Sequence, residues 1–215
     1  MIRGITAVIF DMDGVIVNSE PIHEQAFYEV MRKIGWEGKH NLDFKSYLGK
    51  ADYELWQDFV KKCSPKESFE ELIEMKRSYV IKRLKEEKPF IPGVIALIEK
   101  LYPRYCLGLA SGSEKRVIET VLGIGNLRRF FRAVVSSGDV YKGKPSPDIF
   151  LLAAKLMGVN PSETCVIEDS KPGIQAGLNA GMKVVAITTT HKPDELSGAH
   201  YIISDYAELE KLLLK

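Results

Sequence analysis

The run from Ile5 to Phe10 carries no charge, is rich in β-branched and aromatic residues, and stops abruptly at Asp11-Met12-Asp13-Gly14. Such a segment predicts a strand buried on both faces, as in the middle of a parallel sheet covered by helices. In an open α/β sheet the carboxyl ends of the central strands open onto the ligand crevice, which puts Asp11 at its floor and Asp13 just above. Two carboxylates so close repel each other, and a divalent cation or a shared proton relieves that. Asp-x-Asp-Gly also serves as a plain turn, and from these residues alone the two readings stand level.

The chain of 215 residues is long enough for one sizeable core or a core with a small second domain. Charged residues make up 27% in near-equal signs, and the net charge of +1 gives no reason to expect nucleic acid or a charged membrane surface as partner. Cys63, Cys106 and Cys165 are widely spaced, and two fall in apolar strand patterns, which suits buried thiols in a reducing compartment better than disulfides or a zinc site. With neither a signal-peptide pattern nor an apolar run approaching the ~20 residues of a membrane span, the expectation is a soluble, cytoplasmic protein. No residue pattern speaks to oligomeric state, and a monomer is compatible with the sequence.

After the opening strand the periodicity turns helical and stays so until Pro89, which predicts an all-helical insertion over residues 18–88 in a core of residues 1–17 and 89–215. Its first helix has Ser19 as N-cap, Pro21 in the first turn and an apolar face of Ile22, Ala26, Val30 and Met31. Further helices are expected at Leu42 to Leu48, Tyr53 to Cys63 and Lys66 to Glu87. Pro89 and Pro92-Gly93 form a return linker suited to a hinge.

The strand expected from Tyr105 to Ala110 ends in Ser111-Gly112-Ser113, a small turn before a helix that could cradle an anion, although Ser113 there reads more simply as an N-cap. Lys144 precedes Pro145, which keeps it extended before a helix starting near Pro147. The buried strand from Thr164 to Ile167 ends in Glu168-Asp169, a second acid pair whose hard oxygens suit Mg²⁺, while Ser170 can cap the next helix. Strands at Lys183 to Ile187 and Tyr201 to Ile203, and an amphipathic helix from Tyr206 to Leu214, close the chain.

Asp-Met-Asp-Gly-Val after an apolar strand resembles the first motif of the haloacid dehalogenase superfamily, in its phosphotransferase branch. Ser111 matches the second motif, Lys-Pro-x-Pro-Asp-x-Phe from Lys144 the third, and Glu168-Asp169 the fourth. The resemblance covers essentially the whole chain and implies a Rossmann-like α/β parallel-sheet core with a small helical cap inserted after the first strand. It implies that Asp11 is a nucleophile forming an aspartyl-phosphate and Asp13 the general acid and base. Ser111 and Lys144 would stabilise the phosphoryl oxygens, with the backbone around Gly14 and Gly112 assisting. One Mg²⁺ would be held by Asp11, Asp169 and the carbonyl of Asp13, with Glu168 beside it. Lys142 is expected to be exposed and uninvolved.

Within the superfamily the stretch from Asp13 to His23 is most similar to the β-phosphoglucomutase-like group, which holds sugar-phosphate phosphatases and hexose-phosphate mutases. His23 falls where mutases use a cap histidine and where phosphatases of the group often carry one too, and Lys76 or Arg77 could reach the cleft from the cap. Asp52 stands where mutases place an arginine for a second phosphate, and an acid there would repel a bisphosphate. The expected activity is therefore a phosphatase of small phosphorylated metabolites, sugar phosphates above all. A mutase comes second, and a scaffold that binds a phosphorylated ligand without turnover third.

Overall fold

A computed structural model describes residues 2–43 and 52–214, with the side chains of all of these except Asp52 and Tyr53. The helix expected at Leu42 to Leu48 and the segment Leu48-Gly49-Lys50-Ala51-Asp52 lie largely outside the described residues. The chain forms two compact units, Met1–Asn18 with Pro89–Lys215, and Ser19–Lys88.

The first strand, β1, spans Ala7–Phe10, and all four of its residues are fully buried. The Ser19–Lys88 unit follows, built from α1 (Glu20–Lys33), α2 (Asp52–Cys63) and α3 (Phe69–Glu87), with α3 packed on both of the others. Its core gathers Phe27, Val30 and Met31 of α1, Leu55, Trp56 and Phe59 of α2, and Leu72 of α3. Trp56 meets Phe59 edge-on, with ring centroids 5.9 Å apart. Helix α3 starts at Phe69 rather than Lys66 because Ser68 closes a capping box: Glu71 N donates to Ser68 Oγ at 3.2 Å and Ser68 N to Glu71 Oε2 at 2.8 Å. Ser19 stands at the N-cap of α1, but its backbone is already helical there and its side chain makes no capping bond.

The larger unit continues through α4 (Val94–Leu101), β2 (Cys106–Ala110), α5 (Lys115–Ile124), β3 (Ala133–Val135), α6 (Asp148–Met157), β4 (Thr164–Glu168), α7 (Lys171–Asn179), β5 (Lys183–Ile187), β6 (Tyr201–Ile203) and α8 (Tyr206–Leu214). Among the described residues the sheet has six strands in the order β3-β2-β1-β4-β5-β6, every neighbouring pair parallel. Ala7 and Ile9 join the cluster of Ile149, Phe150 and Ala153 on α6 with Ile174 and Ala176 on α7. Alternation along the strand sends Phe10 to the opposite face, where it meets Phe131 edge-on at 6.2 Å. This charge-free, doubly covered β1 is what the Ile5 to Phe10 run requires.

Cys165 is buried, Cys63 and Cys106 are half-buried, and all three thiols are free. Burial pushes the Cys165 thiol up to about 12, which leaves it inert. No described helix is long and apolar enough to cross a membrane.

Candidate active site

Register brings the sequence-predicted residues of the core to one edge of the sheet. Phe10 pairs with Leu109 of β2 and Ile167 of β4, so Asp11, Ser111, Glu168 and Asp169 leave the sheet side by side. Backbone bonds extend the alignment beyond the strands: Asp11 N donates to Ile167 O and Ser111 N to Val135 O, both at 3.0 Å. After Asp11 the chain folds back on itself, with Ile16 N donating to Met12 O at 2.7 Å and Gly14 N to Val17 O at 2.8 Å. Gly14 has φ +74°, and a Cβ there would overlap the carboxylate of Asp169, so only glycine lets this loop lie against β4's end. Gly112, by contrast, is exposed with open space beside it.

Among the described residues, Lys144 is the cation that meets these acids. Its Nζ donates to Asp11 Oδ1 and to Glu168 Oε1, each at 2.6 Å, and lies 5.0 Å from the centroid of the Phe150 ring. Its side chain is only 13% exposed, while Lys142 is exposed. Burial opposes the charge of Lys144, but Asp11 and Glu168 outweigh it and raise the ammonium's pKa.

Asp11, Glu168 and Asp169 are all buried, with ligand oxygens within 4.8 Å of one another. Burial, then the charges of Glu168 and Asp13, raise Asp11 to about 7 against the pull of Lys144. Asp169 is raised well above its ordinary value, by burial first and then by Glu168 and Asp11. Among the described residues one ammonium faces three buried carboxylates, and such a cluster of hard oxygens fits a divalent cation. Glu168 is already engaged at both oxygens: Oε1 takes Lys144, and Oε2 accepts from Asp169 N at 2.8 Å and from Ser170 N and Oγ at 2.9 Å. Among the described residues nothing donates to Asp11 Oδ2 or Asp169 Oδ1, so these oxygens are open to an ion. Ser170 also caps α7, accepting from Gly173 N at 3.2 Å.

Asp13 is tied to the other side of β1, toward β2. Its Oδ2 accepts from Ser111 Oγ at 3.1 Å and from Ser113 Oγ at 2.7 Å. The expected N-cap role of Ser113 is therefore corrected: α5 is capped at Glu114 without a side-chain bond, and the Ser113 hydroxyl is turned to Asp13. The short turn after β3 braces this loop, since Ser137 N donates to Ser113 O at 3.2 Å.

Sequence reasoning passed over the exit of β5, where Thr189 Oγ1 donates to Gly14 O and Thr190 Oγ1 to Asp169 Oδ2. It also missed Tyr206, a buried residue of α8 whose hydroxyl donates to Val15 O. Of the two candidates from the Ser19–Lys88 unit, His23 is half-buried on α1, and Lys76 is buried on α3 with Leu72, Val80 and Leu84.

A family model for haloacid dehalogenase-like hydrolases matches residues 8–187. The chain belongs to that family. This haloacid dehalogenase-like hydrolase is 32% identical over 183 residues to the fructose-1-phosphate phosphatase YqaB of Escherichia coli K12, covering 84% of this chain and 95% of that protein. It is 30% identical over 209 residues to hexitol phosphatase B of the same organism, covering 94% and 91%. The crystal structure of a β-phosphoglucomutase from Clostridium difficile superimposes with a TM-score of 0.78 at 27% identity, covering 96% of each chain. The family match runs from Val8 to Ile187, so it includes every strand end that carries a core acid and stops just short of Thr188.

Proposed function

We propose that this hydrolase is a Mg²⁺-dependent phosphatase of small phosphorylated metabolites, sugar phosphates above all, working through an aspartyl-phosphate on Asp11. The observation that carries the reading is the division of labour around β1. Asp11 is gripped by Lys144 on the β4 side, while Asp13 is held separately by Ser111 and Ser113 on the β2 side. Two acids with different partners suit two roles, nucleophile and proton carrier. The two phosphatase relatives support the same reading.

In the first half-reaction a carboxylate oxygen of Asp11 attacks phosphorus, the ester P–O bond breaks, and its electron pair leaves with the substrate oxygen, which takes a proton from Asp13. In the second, water attacks phosphorus and gives a proton to Asp13, and the bond to Asp11 breaks to release inorganic phosphate. Asp11 and Asp169 would hold Mg²⁺ with the carbonyl of Asp13; when bound, the ion neutralises negative charge between the attacking carboxylate and the phosphoryl oxygens. Glu168, with both oxygens taken, supports the ion by fixing Lys144 and the backbone of Asp169. Lys144 also faces the charge that builds on the transferring group. Ser111 has one hydroxyl proton, so it cannot serve Asp13 and a phosphoryl oxygen together. With substrate bound, Ser111 turns to phosphate and Ser113 keeps Asp13 in place. Ser113→Ala should therefore lower kcat about tenfold, ~1.4 kcal/mol of barrier, with Mg²⁺ affinity unchanged. Steady-state rates at several Mg²⁺ concentrations check this. The inserted helical unit, with His23 and Lys76, is assigned the choice of substrate.

Phosphate release from a panel of sugar and sugar-alcohol phosphates tests the activity. At least one should be hydrolysed with Mg²⁺ and spared in EDTA, and no release from any of them contradicts the reading. The mutase relative at 27% identity supports a second reading, in which the phosphoryl group passes to a sugar hydroxyl instead of water. Supplied with β-glucose 1-phosphate and a trace of its bisphosphate, a phosphatase gives free phosphate and a mutase gives glucose 6-phosphate.

A further inference from the structure

The chain leaves β5 as Thr188-Thr189-Thr190-His191, immediately beyond the family match. Each threonine hydroxyl goes to a different element. Thr188 Oγ1 donates to Ile203 O on β6 at 3.3 Å, Thr189 Oγ1 to Gly14 O in the loop after β1, and Thr190 Oγ1 to Asp169 Oδ2 after β4. Thr190 Oγ1 also lies 2.8 Å from His191 Nδ1.

A hydroxyl has one proton to give, and an ionised carboxylate can only accept. With Asp169 ionised, as a ligand to a metal ion must be, Thr190 Oγ1 gives its proton to the carboxylate and accepts from His191, which puts the imidazole proton on Nδ1. The order is then His191 Nδ1–H to Thr190 Oγ1–H to Asp169 Oδ2. Thr190 Cγ2 lies 3.0 Å from where a Cβ of Gly14 would stand, so this corner too has room only for glycine.

We infer that Thr190 is a positioning residue for the metal ion: by occupying Oδ2 of Asp169 it presents Oδ1 to the ion, while His191 orients its hydroxyl and Thr189 fixes the Asp11 to Gly14 loop against the same point. The inference rests on the metal-holding role proposed for Asp169. Partners that orient a ligating carboxylate tune the affinity for the metal. A threonine serving only the fold would change stability and leave affinity alone.

Isothermal titration with Mg²⁺ of the wild type, Thr190→Val and Thr190→Ser separates these. Thr190→Val should weaken Mg²⁺ binding by roughly 10- to 100-fold, with Thr190→Ser within about threefold of wild type. At saturating Mg²⁺ the valine variant should regain most of its kcat. Wild-type affinity in Thr190→Val, or equal weakening in valine and serine variants, overturns the inference. If Thr190→Val does not fold, His191→Phe carries the test: it removes the donor to Thr190 and should weaken binding about threefold or more, and unchanged affinity counts against the assignment. Absence of Mg²⁺ binding in the wild type would overturn the metal reading itself and this inference with it, whereas wild-type binding that Thr190→Val leaves untouched overturns this inference alone.

Discussion

Asp11→Asn is expected to abolish turnover, by on the order of 10⁴-fold or more, as loss of a nucleophile commonly does, and also to raise the melting temperature of the metal-free protein at about pH 8. The second effect follows from the first residue's burial. Asp11 is raised from 3.8 to about 7, by burial before the charges of Glu168 and Asp13, so the folded protein holds its proton more tightly than the unfolded chain does. For a carboxylate raised in this way, stability falls as pH climbs from about 4 to about 7, and above that range the full penalty is present. Asparagine carries no charge to bury, and Glu168 remains to pair Lys144. The gap in melting temperature between variant and wild type should therefore widen from about pH 5 to about pH 8, and shrink when Mg²⁺ is added to the wild type. Equal melting curves across that range, measured in EDTA, would show that Asp11 is not held under strain by its neighbours. A strained group retained at the sheet's centre is the pattern of a site selected for chemistry over stability.

Lys144→Ala should lower kcat by about 10²-fold or more, since it removes a preorganised charge facing the transferring group. It should also destabilise the metal-free protein by roughly 3 to 5 kcal/mol, the usual effect of leaving buried partners without their counter-ion. Two carboxylates lose their shared donor at once, both at 2.6 Å, and neither side chain is more than 7% exposed. Lys142→Ala, two residues away and exposed, should match wild type in both measurements. Denaturant melts in EDTA and steady-state kinetics with Mg²⁺ read the two effects separately. A near-normal kcat in Lys144→Ala would mean that the phosphoryl charge is met by another group.

Much of the core was legible because its signals are local. Charge-free runs ending in acids or a hydroxyl gave β1, β2 and β4, and parallel strands in register must bring Asp11, Ser111 and Glu168-Asp169 to one edge. Lys144 could be singled out from Lys142 only by the Lys-Pro-x-Pro-Asp-x-Phe pattern, whose Phe150 proves to lie under the ammonium. What stayed hidden depends on contacts that no local pattern encodes. Ser113 sits where a serine before a helix defaults to a cap, and only the approach of Asp13 turns it away. Thr189 reaches a carbonyl 175 residues distant, and the run of threonines leaving β5 looks like ordinary strand and turn composition. Lys76 is buried on α3 beside Leu72 and Val80, and no local pattern marks a lysine there as buried.

Phosphate carried on Asp11 is the central proposal. A crystal grown with Mg²⁺ and beryllium fluoride, which imitates a phosphoryl group bonded to a carboxylate, should show beryllium joined to an Asp11 oxygen, with magnesium touching Asp11 and Asp169. Beryllium fluoride on any other residue, or magnesium bound away from these two acids, would contradict it.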